Sequence, residues 1–268
     1  MTMKRHIRTT LFIGLTAVFS LLTLGMGLAQ ASTPETQRET MQLGNRLYTN
    51  GHYQEAAQLY EQLLAEGVQD SAVYFNLGNA YLQAGQLGRA IISYERARAL
   101  NPRDTAVVEN LTLAQRQNED KLDTSAISPL HSLADTSRSW LTLNEAALLT
   151  LLLWYLLAAL ILAVRHTHAM PRLHKAARTL ALVVAFVFLA SGSMLESRVY
   201  VQAVTPTAVV VAEEAPVYVA PDLGSRDAFV LHDGTAVTVL ETSGAWVQIA
   251  LPGSQLSGWL PLAAVEEI

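Results

Sequence analysis

Between Ala146 and Val164 the chain runs for 19 residues without a charged side chain, and nine of those residues are leucine. At 1.5 Å per residue a helix of that length reaches about 28 Å, close to the roughly 30 Å hydrocarbon core of a bilayer. A second run covers Thr179 to Leu195, and extends back to Ala176 if Arg178 snorkels its guanidinium to an interface. Core helices of soluble proteins rarely lack a polar stripe altogether, so the two runs predict membrane-spanning helices over 146–164 and 176–195. Composition agrees with this: 51% of the 268 residues are hydrophobic and 15% charged, against a charged share of about 25% in soluble domains.

The charges that remain are segregated. Arg165, Arg172, Lys175 and Arg178 lie in RHTHAMPRLHKAAR without an acid, whereas the long segments on either side of the hairpin are net negative. The positive-inside rule predicts a cytoplasmic loop at 165–178, with both flanks on the opposite side. The N-terminus gives the same topology independently. Lys4, Arg5 and Arg8 precede an apolar stretch from Leu11 to Leu28, and Ala29-Gln30-Ala31 is a small-x-small cleavage site. Residues 1–31 therefore predict an export signal; the length of the apolar stretch leaves an uncleaved anchor as the alternative. Both arguments put the chain in the inner membrane as a multi-pass protein with periplasmic N- and C-terminal domains. Trp140, just before the first span, suits an interfacial aromatic belt, and Trp154 is expected to pack against the second helix.

Residues 35–120 repeat with a period of 34. Leu43/Leu77, Gly44/Gly78, Gly51/Gly85, Ala56/Ala90, Tyr60/Tyr94 and Glu61/Glu95 all keep that offset. A period of this size signals stacked helix–turn–helix units. Thr33-Pro34-Glu35 reads as an N-cap, a proline at the first helical position and an acid in the first turn. Gly51 and Gly85 belong at turns, and Pro102 ends the second unit. Asp104 opens a further helix whose Val107, Val108, Leu111 and Ala114 would share one face and cover the array's open end. Two and a half units make a marginal fold, so support from a partner or the membrane is expected. Residues 121–142, rich in Ser and Thr, read as a linker.

The repeat resembles the tetratricopeptide repeat. The resemblance implies an all-α helical array in which Gly44 and Gly78 allow close helix contact opposite Ala56 and Ala90, while Tyr60 and Tyr94 fill space toward the next unit. It also implies a protein-binding concave groove carrying Arg38, Met41, Asn45, Tyr48, Phe75, Asn79, Leu82 and Gln83. Members that clamp a C-terminal carboxylate carry asparagines at the positions of Asn45 and Asn76 and cations at those of Met41, Ala106 and Asn110. The asparagines are present here and the cations are not, so a carboxylate clamp is disfavoured. The asparagines are then either ordinary polar consensus residues or part of a differently selective groove.

After Leu195 the pattern turns to short strands: Val209–Ala212, Val217–Ala220, Ala228–Leu231, Ala236–Glu241, Trp246–Leu251 and Gly258–Leu260. Turn residues separate them, Gly234 and Gly244 among them, and this spacing predicts a small closed barrel over 207–268. The P-x-Y-x-x-P loop, the Val-Thr-Val-Leu strand and Gly258-Trp259 resemble a bacterial SH3-like domain. That family implies an all-β SH3-like barrel that binds cell-wall peptides or proteins. Tyr218, Trp246 and Trp259 are then candidate contact aromatics, or else they close the small core.

The chain contains no cysteine, which excludes disulfides, thiolate nucleophiles and Cys-based metal sites. A net charge of −5 disfavours nucleic acid as a partner. The nucleotide-loop, G-x-S-x-G and H-E-x-x-H patterns are missing. His166, His168 and His174 lie beside four cations, which disfavours a metal there; a topology signal or a pH- or headgroup-sensitive loop fits better. The sequence therefore predicts no enzyme, cofactor or metal. Taken as a whole, with NLGNAYLQAGQLGRAIISYERARALNPRD and NLTLAQRQNEDK as its most specific motifs, the chain resembles the BatE family of aerotolerance operons. The resemblance implies a membrane scaffold beside von Willebrand factor A-domain membrane proteins and a MoxR-type AAA+ ATPase, with a role in oxidative stress or envelope integrity. A cell-wall sensor that binds peptidoglycan through the SH3-like domain is the alternative.

Overall fold

The computed structural model describes residues 33–120, 137–204, 206–254 and 256–268. The expected export signal and residues 121–136 of the expected linker lie outside them. Residues Thr40–Ile268 belong to one compact unit, and the tertiary contacts below lie within it.

Five helices form the array: α1 (Pro34–Thr49), α2 (Tyr53–Ala65), α3 (Ser71–Gln83), α4 (Leu87–Leu100) and α5 (Thr105–Gln117). Thr33 caps α1 as expected, its hydroxyl accepting the Thr36 amide at 3.3 Å. Both helix–turn–helix turns are built alike. Gly51 and Gly85 take φ of 84° and 78°, and the amides of His52 and Gln86 reach back to Leu47 and Tyr81 carbonyls at 2.9 Å each. These are Schellman closures, which need a residue tolerant of positive φ. Ala56, Ala90, Tyr60 and Tyr94 are buried. The closest approach adds to one expectation: a Cβ added at Gly44 or Gly78 would meet the rings of Tyr60 and Tyr94 at 2.8 and 2.7 Å. Each tyrosine therefore fills the space over its own unit's glycine. In α5 Val107, Leu111 and Ala114 face the core, but Val108 is 39% exposed, since one residue further along a helix is a turn of about 100° off that face.

Two long helices follow, α6 (Leu143–His166) and α7 (Pro171–Val204). Thr142 and Glu145 close a capping box at the start of α6, so the last residues of the expected linker are ordered. Both helices are long and apolar enough to cross a membrane, with mean hydropathy of 2.6 and 1.9, and none of the α6 window is buried by protein. The helices pack as a hairpin. Thr150 and Ser191 hydroxyls meet at 2.7 Å, and Trp154 lies 5.6 Å from Phe188, which is the expected contact with the second helix. The turn is shorter than the expected loop over 165–178: only Thr167–Met170 is non-helical. Pro171 suits a first helical position, and nothing after it breaks a helix, so Arg172, Lys175 and Arg178 ride the first turns of α7.

The C-terminal strands are β1 (Thr207–Val210), β2 (Glu214–Tyr218), β3 (Asp227–His232), β4 (Ala236–Ser243), β5 (Trp246–Ala250), β6 (Ser257–Pro261) and β7 (Val265–Glu267). They form one antiparallel sheet in the order β3-β2-β6-β5-β4-β1-β7. All six expected strands are present within a few residues, and β7 is an addition. Among the described residues no ladder joins β3 to β7. Val217, Val237, Val247, Ile249 and Leu260 form the core of the sheet.

The sheet is not independent of the array. Val209 of β1 belongs to the repeat core, with Leu87 and Val211 packed against the same cluster. The support expected from a partner or the membrane therefore comes, in part, from the chain's own sheet.

Candidate functional site

The 34-residue period extends to a hydrogen-bond pattern on the array's concave side. Tyr60 donates its hydroxyl to Asn45 Oδ1 at 2.8 Å, and Asn76 Nδ2 donates to the same oxygen at 3.1 Å. One unit later Tyr94 and Asn110 donate to Asn79 Oδ1 at 2.7 and 2.9 Å. Burial, with the nearby Tyr48, pushes the Tyr60 phenol up to about 12, and burial raises Tyr94 as well. Both hydroxyls thus stay protonated and remain donors. With each acceptor oxygen taken twice, the Asn45 and Asn79 amide groups keep their N–H donors for whatever enters the groove.

A hollow of about 280 Å³ opens here, lined by Asn45, Tyr48, Thr49, Tyr60, Asn76 and Asn79. Every lining residue is uncharged. Of the expected groove residues, Asn45, Tyr48 and Asn79 line it. Met41, Phe75 and Leu82, like Tyr48, are half-buried against the repeat core, Phe75 lying 6.0 Å from the Tyr94 ring. Thr49, Tyr60 and Asn76 join the lining. The 34-residue offsets of Asn45/Asn79, Tyr60/Tyr94 and Asn76/Asn110 were the signal that could have found two of them.

The sheet presents the other candidate residues. Inward Val217, Val247 and Leu260 alternate with half-buried Tyr218, Trp246 and Trp259. The three aromatics therefore lie on the outer face. Tyr218 pairs in register with Trp259 and meets Trp246 edge-on at 5.5 Å. Gly258 permits this arrangement: a Cβ there would come within 2.5 Å of Val217 Cγ1 and 2.8 Å of the Tyr218 carbonyl. The aromatics cover the face rather than closing the core.

A junction the sequence did not signal joins the two modules. Asp120, just past α5, accepts from the His232 amide at 2.8 Å, the His232 ring at 2.9 Å and the Thr235 hydroxyl at 2.6 Å. Asn118 Nδ2 donates to the Gly234 carbonyl at 3.0 Å. Asp233 accepts the Gly88 amide at 2.9 Å, capping α4 from the β3–β4 turn, where α4's own N-cap residue, Gln86, makes no such bond. Arg96 reaches Glu266 at 3.0 Å and the Glu267 carbonyl at 2.8 Å. Burial raises the Asp233 carboxyl against the pull of the amides that bond it. At Asp120 burial also opposes ionisation, but the bonds from Thr235 and His232 outweigh it and hold the carboxyl below its ordinary range. The Asp120 bond, less a desolvation cost, raises His232, and the charges of Asp120, Glu119 and Glu214 add to it. Among the described residues no group of three or more His, Asp or Glu is arranged to hold a metal.

Residues 41–105 match the family model of the tetratricopeptide repeat. The helical array is of that type. Over 70 residues, 26% of the chain, it is 33% identical to tetratricopeptide repeat protein 16 of Macaca fascicularis and of Homo sapiens, a match spanning 8% of those relatives' length. Among solved structures, the Sgt2 tetratricopeptide domain of Aspergillus fumigatus is 27% identical, covering 33% of this chain and 58% of that one at a TM-score of 0.30. A type III secretion complex from Aeromonas hydrophila is 18% identical, covering 64% of this chain and 96% of that one at a TM-score of 0.33. Tetratricopeptide repeats imply a protein-interaction scaffold, and proteins built on them are generally not enzymes.

Proposed function

We propose that the chain is a non-enzymatic, membrane-anchored scaffold whose tetratricopeptide groove holds an uncharged, extended stretch of an envelope protein. The observation that carries this reading is the doubled tyrosine–asparagine arrangement. It saturates Asn45 and Asn79 Oδ1 and leaves amide donors over a hollow without charge. Such donors suit main-chain carbonyls; a terminal carboxylate would call for cations that the lining lacks.

The membrane part of the reading rests on the hairpin's bare apolar faces, since so much uncovered leucine is costly in water. Its topology is supported by the junction: two parts in direct contact share a compartment, so the array and the sheet lie on one side. The cations from Arg165 to Arg178 favour the cytoplasm for the turn, which makes that shared side the periplasm of an inner membrane. The resemblance to the BatE family suggests von Willebrand factor A-domain membrane proteins and a MoxR-type ATPase as the surrounding complex, in an aerotolerance role.

Thr49→Glu puts a charge at the exposed rim of the hollow. In native membranes it should sharply reduce crosslinking of the chain to its envelope neighbours, read by mass spectrometry, while membrane extraction behaviour stays unchanged. An unaltered set of crosslinked neighbours would refute groove binding. A second reading is favoured by the outward Tyr218–Trp246–Trp259 face: the SH3-like sheet holds peptidoglycan. Retention of the full chain on sacculi, lost on Trp259→Ala, would support it.

A further inference from the structure

The junction between array and sheet has more ionisable groups than packing alone requires. Its apolar floor is formed by Val209 and Val211 against Leu87 and the repeat core, with Gly234 seated within 3.2 Å of Leu87 and Ile91 were it to carry a Cβ. Over that floor lies the polar cluster centred on His232. Asp120 and Glu119 face it from the segment after α5, the latter at 3.8 Å from Nε2. Glu214 stands opposite it across the β2–β3 ladder, and Asp233 is its neighbour in the turn. Arg89 of α4 bears on Asp233 from the other side. Three carboxylates thus bear on one imidazole, and beside them Asp233, with Arg89, stands at the start of α4.

We propose that this junction is a pH-dependent clasp between the repeat array and the sheet, closed while His232 carries its proton and loosened when the proton leaves. With the imidazolium present, Asp120 is bound by a charge-assisted pair as well as by the His232 amide and the Thr235 hydroxyl. Once His232 is neutral, Asp120, Glu119 and Glu214 repel one another without the imidazolium between them. The turn then lifts from α4, and two amides lose their acceptors: His232 N–H, held by Asp120, and Gly88 N–H, held by Asp233. The direction follows from linkage. His232 is held above its ordinary 6.5, so its contribution is complete below that value and is lost as pH rises through the raised one. The inference does not depend on the groove having a partner.

Hydrogen exchange of the full chain in detergent micelles tests it directly. Protection of the peptides holding Gly88 and His232 is measured from pH 6 to 8.5 and corrected for the intrinsic rate. Wild type should lose protection there several-fold on the alkaline side, while peptides of β5 stay protected. His232→Gln should show the low protection at every pH. Glu119→Gln, which removes one acid beside the ring, should move the wild-type midpoint to lower pH and decides the matter even if His232→Gln fails to fold. A flat wild-type profile, a His232→Gln profile that still depends on pH, or an unmoved Glu119→Gln midpoint would each overturn the clasp.

Discussion

At Gly88 the chain leaves no room for a side chain. A Cβ there would stand 2.2 Å from the Val210 carbonyl oxygen and 2.5 Å from Asp233 Oδ1. The carbonyl belongs to the β1 end of the sheet and cannot rotate away, so Gly88→Ala should separate α4 from the sheet. Overpacking of this kind costs about 1–3 kcal/mol, and a thermal melt of the full chain should show it. Gly78→Ala should be milder, because the atoms it meets belong to the Tyr94 ring, which can shift at the expense of its bond to Asn79. Tyr94→Phe isolates that bond: about 1 kcal/mol should be lost for an unmade hydrogen bond at a buried site. At this scale the sequence was informative where a residue recurs. The glycines, alanines and tyrosines at the 34-residue offset do the same physical work in each unit. Gly88 has no counterpart of its kind, since the atoms that need it are more than a hundred residues away.

The helix α4 has three tasks, and its N-terminus shows how they are joined. Asp233 satisfies the Gly88 amide from the sheet, so Asp233→Ala should act like the loss of an N-cap, costing about 1 kcal/mol, with faster amide exchange at Leu87 and Gly88 as the local sign. The same helix carries Tyr94 for the groove and Arg96 for β7. Most elements were legible. The helices follow a 3.6-residue pattern, and the strands alternate inward valines with outward polar or aromatic residues. β7 escaped notice because Val265-Glu266-Glu267 offers no alternation, and its pairing with β1 is set by tertiary contact. The junction escaped for a different reason: Asn118, Asp120, His232, Asp233 and Thr235 are residue types that any surface turn carries.

For the whole molecule, the contacts of Asp120 with His232 and Thr235 require the two modules to meet. Reporter fusions placed at Gln117 and after Ile268 should therefore report the same compartment, and a fusion within Thr167–Met170 the opposite one. Different compartments for the first two would contradict the junction. Stability should also follow the junction's charges. Asp120, depressed below its ordinary 3.8, contributes stability above that value that is lost as pH falls through its lowered pKa. His232 contributes below 6.5 and loses its share as pH rises. Asp233 opposes both modestly, since its raised carboxyl costs stability on ionising. A melting profile of the full chain should crest between the ordinary aspartate and imidazole values, and His232→Gln should flatten its alkaline shoulder. The separation of the clasp's two halves matters before the protein is finished. Asp120 and His232 stand 112 residues apart, so a ribosome working at about 5–20 residues per second needs roughly 6–20 s to bridge them. For that interval Leu87 and Ile91 wait for a turn that is delivered only after the hydrophobic hairpin has been synthesised.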